Sequence, residues 1–198
     1  TKATLNQTPL PRNLYSHSDQ TQQWQTSDPM GGGTGWAGRI NDLALIQGGN
    51  TGLPPGITLN GGNALFLNGV QTKGFNFSNT GSFGLMRFGD GTAMNARQAS
   101  LQRVLTFDSG LQMVAAANGV LGDSMRSAAE INAALTAAPA LPVTFPGSGL
   151  GGQLAQAFRL ISVQQALGMN RQIFFCGMGG FDNHDNLINN HQGLMTTV

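Results

Sequence analysis

Charge is scarce in this chain. Only 10% of its 198 residues are Asp, Glu, Lys or Arg, against roughly 25% in an ordinary globular protein. The net charge is +1, and no cluster of Lys or Arg occurs, so nothing offers the basic surface that nucleic acid requires. Cysteine is represented once, by Cys176, which excludes an intrachain disulfide and leaves a thiol in an apolar run, the usual place of a small core residue. No stretch reaches the roughly 18 consecutive apolar residues of a membrane span. No signal-peptide pattern is visible either. The chain starts at Thr1 and stops at Val198 inside a helical pattern, and the expectation is a processed or incomplete chain.

Glycine, by contrast, is abundant at 29 residues, and Asn and Gln supply much of the polarity. A low-charge, amide-rich surface is familiar in exported proteins. The length suffices for one domain with a real core, so residues 1–198 are read as a single domain of the α/β class.

Periodicity and punctuation divide the chain. Residues 1–13 are an extended lead-in with Pro9 and Pro11. Ser16 to Trp24 carries helix-start chemistry, with Ser16 or Ser18 as cap and Asp19 in the first turn. Trp36 to Ile46 fits a short helix with Trp36, Ile40, Leu43 and Ala44 on one face. Residues 47–92 are rich in Gly and Asn, with short apolar pieces at Ala64–Leu67 and Phe75–Phe77 and a further one, strand or loop, at Phe83–Phe88; the segment reads as irregular loops with a few short strands, an insertion or a lid. Helices follow over Asn95–Thr106 and Ser109–Ala138. The second carries Leu111, Val114, Leu121, Met125, Ala128 and Leu135 at helical spacing, with Gly119 or Gly122 as a point of interruption and Pro139 and Pro142 as its end. A further helix spans Leu150–Leu167, with Leu150, Leu154, Ala157, Phe158 and Ile161 inward and Gly168 just past its end. The apolar run Ile173–Cys176 is a buried parallel strand within 172–178. Its partner strands are mostly not apparent.

Two polar constellations carry the available chemistry. After the strand come Gly179 and Gly180, then Phe181-Asp-Asn-His-Asp185. Ligands and catalytic groups collect beyond the carboxyl ends of strands in open α/β sheets. Asp182 and His184 flank Asn183 and can point at one cation, and carboxylate plus imidazole suits zinc, manganese or iron(II) better than calcium. The alternative is structural: Asp182 or Asp185 simply caps a helix from Asn186 onward, with His191 a packing or surface histidine. The other constellation is Ser16-His17-Ser18-Asp19. A serine beside His17 at a helix amino terminus is placed to act as nucleophile or to hold an anion, or else only to cap the helix. Arg12 and Arg39 are possible anion partners. Gly31-Gly-Gly-Thr-Gly35 lacks the Lys-Ser/Thr ending of a phosphate loop.

The combination of Leu14-Tyr-Ser-His-Ser-Asp-Gln20, Gln23-Trp-Gln25, Gly35-Trp-Ala-Gly-Arg-Ile40 and Phe174-Phe-Cys-Gly-Met-Gly-Gly-Phe-Asp-Asn-His184 resembles an uncharacterised bacterial family of exported proteins. Its members usually carry a twin-arginine signal and are thought to be a branch of the alkaline phosphatase and sulfatase superfamily. The resemblance runs from about Leu10 to the end of the chain. It implies an alkaline-phosphatase-like three-layer α/β sandwich, present here only in part, in a periplasmic or cell-surface protein. The implied activity is metal-dependent hydrolysis of phosphate or sulfate esters. Asp182 and His184 match the family's Asp/His metal pair, and Ser16-His17 falls where its nucleophile is expected. The superfamily's first-strand Asp and its later Asp-His pair have no counterpart in these residues. A non-catalytic exported binding or assembly protein on the same scaffold, with an unidentified partner, is the competing expectation.

Overall fold

The computed structural model describes residues 10–48, 53–62, 64–77, 83–85 and 91–197. They form a mixed α/β arrangement of six α-helices and a three-stranded parallel sheet, and the chain divides into two compact units. The first comprises residues Thr1–Asn79 and Leu141–Val198, the second Thr80–Ala140.

The sheet of the first unit is built on β1 (Gly56–Thr58), the middle strand, flanked by β2 (Phe75–Asn76) and β3 (Ile173–Phe175). Both pairings are parallel, with Ile57 opposite Phe75 on one side and Phe174 on the other. The middle strand is buried along its whole length, as a strand flanked by neighbours must be. Sequence reading gave the Gly/Asn-rich segment as loops with a few short strands. Its described part contributes the centre of the sheet. Gly56-Ile-Thr58 escapes detection because three residues between Pro55 and Asn60 show no period. Ala64–Leu67 is not a strand but a single 3-10 turn at Leu65–Leu67. Phe83–Leu85 has no regular structure, and residues 86–88 of that expected piece lie outside the described residues. The expected strand at 172–178 is shorter than its apolar run and only half-buried, and Cys176 lies one residue past it. Burial pushes the Cys176 thiol above its ordinary value.

Helix α1 (His17–Thr26) begins at Ser16, whose Oγ accepts a hydrogen bond from the Asp19 N–H at 3.3 Å. Helix α2 (Trp36–Ile46) has the bounds its pattern predicts, but its inward face is different. Ala37, Gly38, Asn41 and Ala44 are buried, while Ile40 and Leu43 are 48% and 61% exposed. The small residues face inward because the 3-10 segment lies against them. A Cβ on Gly38 would stand 2.1 Å from the Asn68 carbonyl carbon, and one on Gly35 would stand 2.1 Å from the Leu65 oxygen. Arg39, a possible anion partner by sequence, is engaged in the fold. Its Nη2 donates to the Thr26 carbonyl at 2.8 Å and its Nη1 to the Thr34 carbonyl at 2.9 Å, tying the end of α1 to the start of α2.

Asp42 on α2 organises the next turn. Its carboxylate accepts from the backbone N–H groups of Val70, Gln71 and Thr72 at 2.7, 3.2 and 2.8 Å and from the Thr72 hydroxyl at 2.8 Å. Burial raises the carboxyl, but the bonds from Thr72, Val70 and Gln71 outweigh it and hold the group below its ordinary 3.8. A depressed folded value means stabilisation that is complete above the ordinary value and disappears as pH falls through the lower one. Asp42→Asn is therefore expected to cost about 1–3 kcal/mol at pH 7. In denaturant titrations from pH 7 to 2, the difference from wild type should stay flat down to about pH 4 and shrink below it.

Helix α5 (Gly149–Ser162) starts on Ser148, whose Oγ accepts from the Gly151 N–H at 3.0 Å. It ends at Ser162, short of the expected Leu167, and turns run on to Gly168 (φ 62°). Its buried face holds Gly151, Gln153, Gln156, Ala157 and Leu160. Of the residues expected inward, Ala157 is buried and Leu150 half-buried, while Leu154, Phe158 and Ile161 lie outward at 41%, 39% and 43% exposure. Two glutamines on the buried face tilt the apolar pattern away from the true interface. Helix α6 (Leu187–Met195) closes the described chain.

In the second unit, α3 (Thr92–Thr106) and α4 (Gln112–Thr136) pack on each other. Helix α4 runs through Gly119 and Gly122 without a break. Its expected core stripe is divided: Ala128 and Leu135 are buried with Ile131, Leu121 and Met125 are half-buried, and Leu111 and Val114 are exposed. Among the described residues no helix is long and apolar enough to cross a membrane.

Candidate functional site

An aromatic cluster brings the two ends of the chain together. Trp24 on α1 stacks on Phe66 of the 3-10 turn at 5.5 Å, and Phe66 in turn meets Trp36 edge-on at 4.5 Å. Phe175, the last residue of β3, lies 5.5 Å from Phe66 and 6.2 Å from Trp24. Such ring pairs carry large apolar area with directional preference. They fix α1 beside the carboxyl end of β3. The exit from that strand is clamped as well. The buried side chain of Gln153 accepts from the Gly177 N–H at 2.8 Å and donates to the Gly177 carbonyl at 2.9 Å, satisfying both backbone groups where the ladder ends.

The loop 177–186 then passes the amino end of α1. Gly180 takes φ 96°, a conformation that side chains with a Cβ rarely adopt, and the Asn183 amide donates to its carbonyl at 3.1 Å. This turn brings Asp182 between two histidines. One of its oxygens, Oδ2, lies 3.7 Å from His17 Nδ1, and the other, Oδ1, lies 3.2 Å from His184 Nε2. Two constellations that the sequence treats separately thus share one carboxylate. All three side chains are open to solvent, at 75%, 65% and 84% exposure for His17, Asp182 and His184. A shallow groove of about 420 Å³ adjoins them, lined by His17, Gln20, Thr21, Trp24 and Asp182.

The capping alternative for Asp182 and Asp185 does not hold. The residue preceding α6 is Asn186, in left-handed conformation (φ 44°), and no side chain caps the helix. His191 packs edge-on against Phe181 at 5.7 Å, as a packing histidine does. Ser16, by contrast, does cap its helix, and its Oγ is 3.0 Å from Ser18 Oγ. Hydrogen bonds from the Ser16 side chain and then the Asn13 amide, with the Arg12 charge nearby, hold the Asp19 carboxyl below its ordinary value. Capping and chemistry are not exclusive, since a helix amino end presents unpaired N–H groups to any negative charge.

Two imidazoles and a carboxylate are the donor set of many zinc, manganese and iron sites, so the residues fit a divalent cation in kind. Tetrahedral bonds of about 2.1 Å place neighbouring donor atoms about 3.4 Å apart, close to both contacts of Asp182. Among the described residues, however, no group of three His, Cys, Asp or Glu side chains is drawn together as a ready ligand set. Sequence reasoning missed Gln20, Thr21 and Trp24 as neighbours of the site. The signal that finds them is helical spacing, because they lie three, four and seven residues after His17 on one stripe of α1.

The fold and site together define a mixed α/β protein with a solvent-open His-Asp-His cluster beyond the carboxyl end of a parallel strand. No protein-family model, no curated protein and no solved structure matches this chain.

Proposed function

We propose that this chain carries part of a divalent-metal-dependent hydrolase of phosphate or sulfate esters, on an alkaline-phosphatase-like scaffold in an exported bacterial protein. One observation carries the reading: Asp182 contacts His17 through one oxygen and His184 through the other, so the first and last motifs of the family resemblance meet in space. The low charge and amide-rich composition support a periplasmic or cell-surface location.

Asp182 and His184 would hold the cation, with His17 at the edge of the site. When bound there, zinc, manganese or iron supplies Lewis-acid polarisation of the ester and neutralises charge that develops on its oxygens. The chain's own groups do the rest. His17 Nδ1 lies 3.7 Å from Asp182 Oδ2, a charge contact that favours an imidazole with Nε2 turned to exchange a proton with the attacking or leaving oxygen. Ser16 Oγ stands at the amino end of α1, where the helix dipole and first-turn N–H groups favour an anionic oxygen. The open groove lined by His17 and Asp182 receives the ester from solvent.

The test is elemental analysis of protein purified without chelator, beside an Asp182→Ala/His184→Ala double variant. About one or two equivalents of a transition metal are expected in the wild type, and they should be lost in the variant. Absence of metal from both would move the competing reading forward, an exported binding or assembly module. That second reading draws on the exposure of all three side chains, since catalytic centres are commonly shielded from water.

A further inference from the structure

We infer that Trp24 is the specificity-determining residue of this site and that the ester it selects is that of a six-membered sugar ring. The inference rests on the hydrolase reading for the word ester; the ring platform itself stands on independent geometry. Trp24 remains 57% exposed although it belongs to the largest aromatic cluster of the described residues. Its plane is fixed from behind, with Phe66 stacked at an interplanar angle of 19° and Phe175 tilted against it. The exposed part lines the groove that His17 and Asp182 also line. A rigid indole offers a ring-sized apolar face at little entropic cost.

The polar rim decides which ring. The Gln20 amide nitrogen already donates to the Leu14 carbonyl, and the Thr21 hydroxyl donates to the His17 carbonyl at 2.8 Å. What these side chains still offer the groove are two acceptor oxygens, Gln20 Oε1 and Thr21 Oγ1, and the second Gln20 N–H, beside the Asp182 carboxylate. Acceptors beside a donor call for a ligand rich in hydroxyls, which both donate and accept, as a pyranose is and an aryl ester is not. Distance agrees. Trp24 lies seven residues beyond His17, about 10 Å along the helix axis, but helix side chains lean back toward the amino end and the indole lines the same groove as His17 and Asp182, so a ring seated on it directs an exocyclic ester toward them. A three-carbon ester would reach the histidine and leave the indole bare.

The test is titration of the full chain with glucose 6-sulfate, glucose 6-phosphate, glycerol 3-phosphate and phenyl phosphate. The readouts are the indole N–H resonances of the two tryptophans and, in parallel, hydrolysis. Both glucose esters should shift the Trp24 resonance saturably, and glycerol 3-phosphate and phenyl phosphate should shift it little. Trp24→Ala should raise the KM of the glucose esters at least tenfold more than that of the glycerol ester, a ratio that a general loosening of the ring cluster does not move. Trp24→Phe keeps a ring on Phe66 and should lose only a few-fold, which separates recognition from misfolding. Equal binding of glucose and glycerol esters, preference for phenyl phosphate, or unaltered affinity in Trp24→Ala would overturn the inference. Resonance shifts without hydrolysis would support the ring platform and count against the hydrolase. Hydrolysis with equal KM for the glucose and glycerol esters would do the reverse.

Discussion

Gly38→Ala is expected to destabilise the first unit by about 3 kcal/mol or more. The new methyl group would sit 2.1 Å from the Asn68 carbonyl carbon and 2.2 Å from the Gly69 nitrogen. Both are backbone atoms, so no side chain can rotate away. Relief requires α2 to withdraw from the 65–69 segment, and several features depend on that approach. Gly35 donates to the Asn68 carbonyl at 2.7 Å, the Thr72 hydroxyl oxygen lies 3.3 Å from the Gly38 carbonyl, and Asp42 holds Val70 to Thr72. Gly33→Ala is the control, because nothing lies within 4 Å of its Cβ position and its φ is unstrained. It should change stability by no more than about 0.5 kcal/mol. Urea unfolding of both variants reads the difference. Equal midpoints would mean that the helix does not lie as closely on this segment as described.

The second large effect concerns chemistry. Asp182→Asn is expected to lower ester hydrolysis by about 100-fold or more and to leave the melting temperature unchanged. The side chain is 65% exposed, and its contacts are with two histidines that are themselves exposed. The amide keeps the size of the carboxylate but loses its charge, so on the proposed mechanism it would no longer orient His17 or hold a cation beside His184. His184→Ala should lose metal as well as turnover, whereas His17→Ala should lose turnover and retain most of the metal. That split separates the proposed roles of the two imidazoles. Undiminished turnover in Asp182→Asn would remove the cluster from the mechanism.

Several features were legible in the residues themselves. The bounds of α2, the Ser16 cap of α1, the strand before Gly177 and the approach of Asp182 to His184 follow from local signals: capping chemistry, helical period, a short apolar run and paired glycines. Local signals also misled in places. On α2 and α5 hydrophobicity alone does not mark the inward face. A backbone that approaches closely selects Gly38 and Ala37, and a strand end with unpaired groups selects Gln153. The middle strand was missed because three residues have no period, and only its neighbours on both sides make it a strand.

The sequence by itself determined which groups are available: two histidines, an aspartate, a capping serine and a low-charge amide-rich chain able to form α/β structure. Tertiary structure decided that His17 and Asp182, at opposite ends of the chain, share a site with His184. It also turned Trp24 toward that site and committed Arg39 to the fold rather than to a ligand. The physical reason is that convergence of distant residues depends on long-range packing, here the stacking of Trp24, Phe66 and Phe175, and no local pattern in a chain encodes which of its aromatic rings will meet.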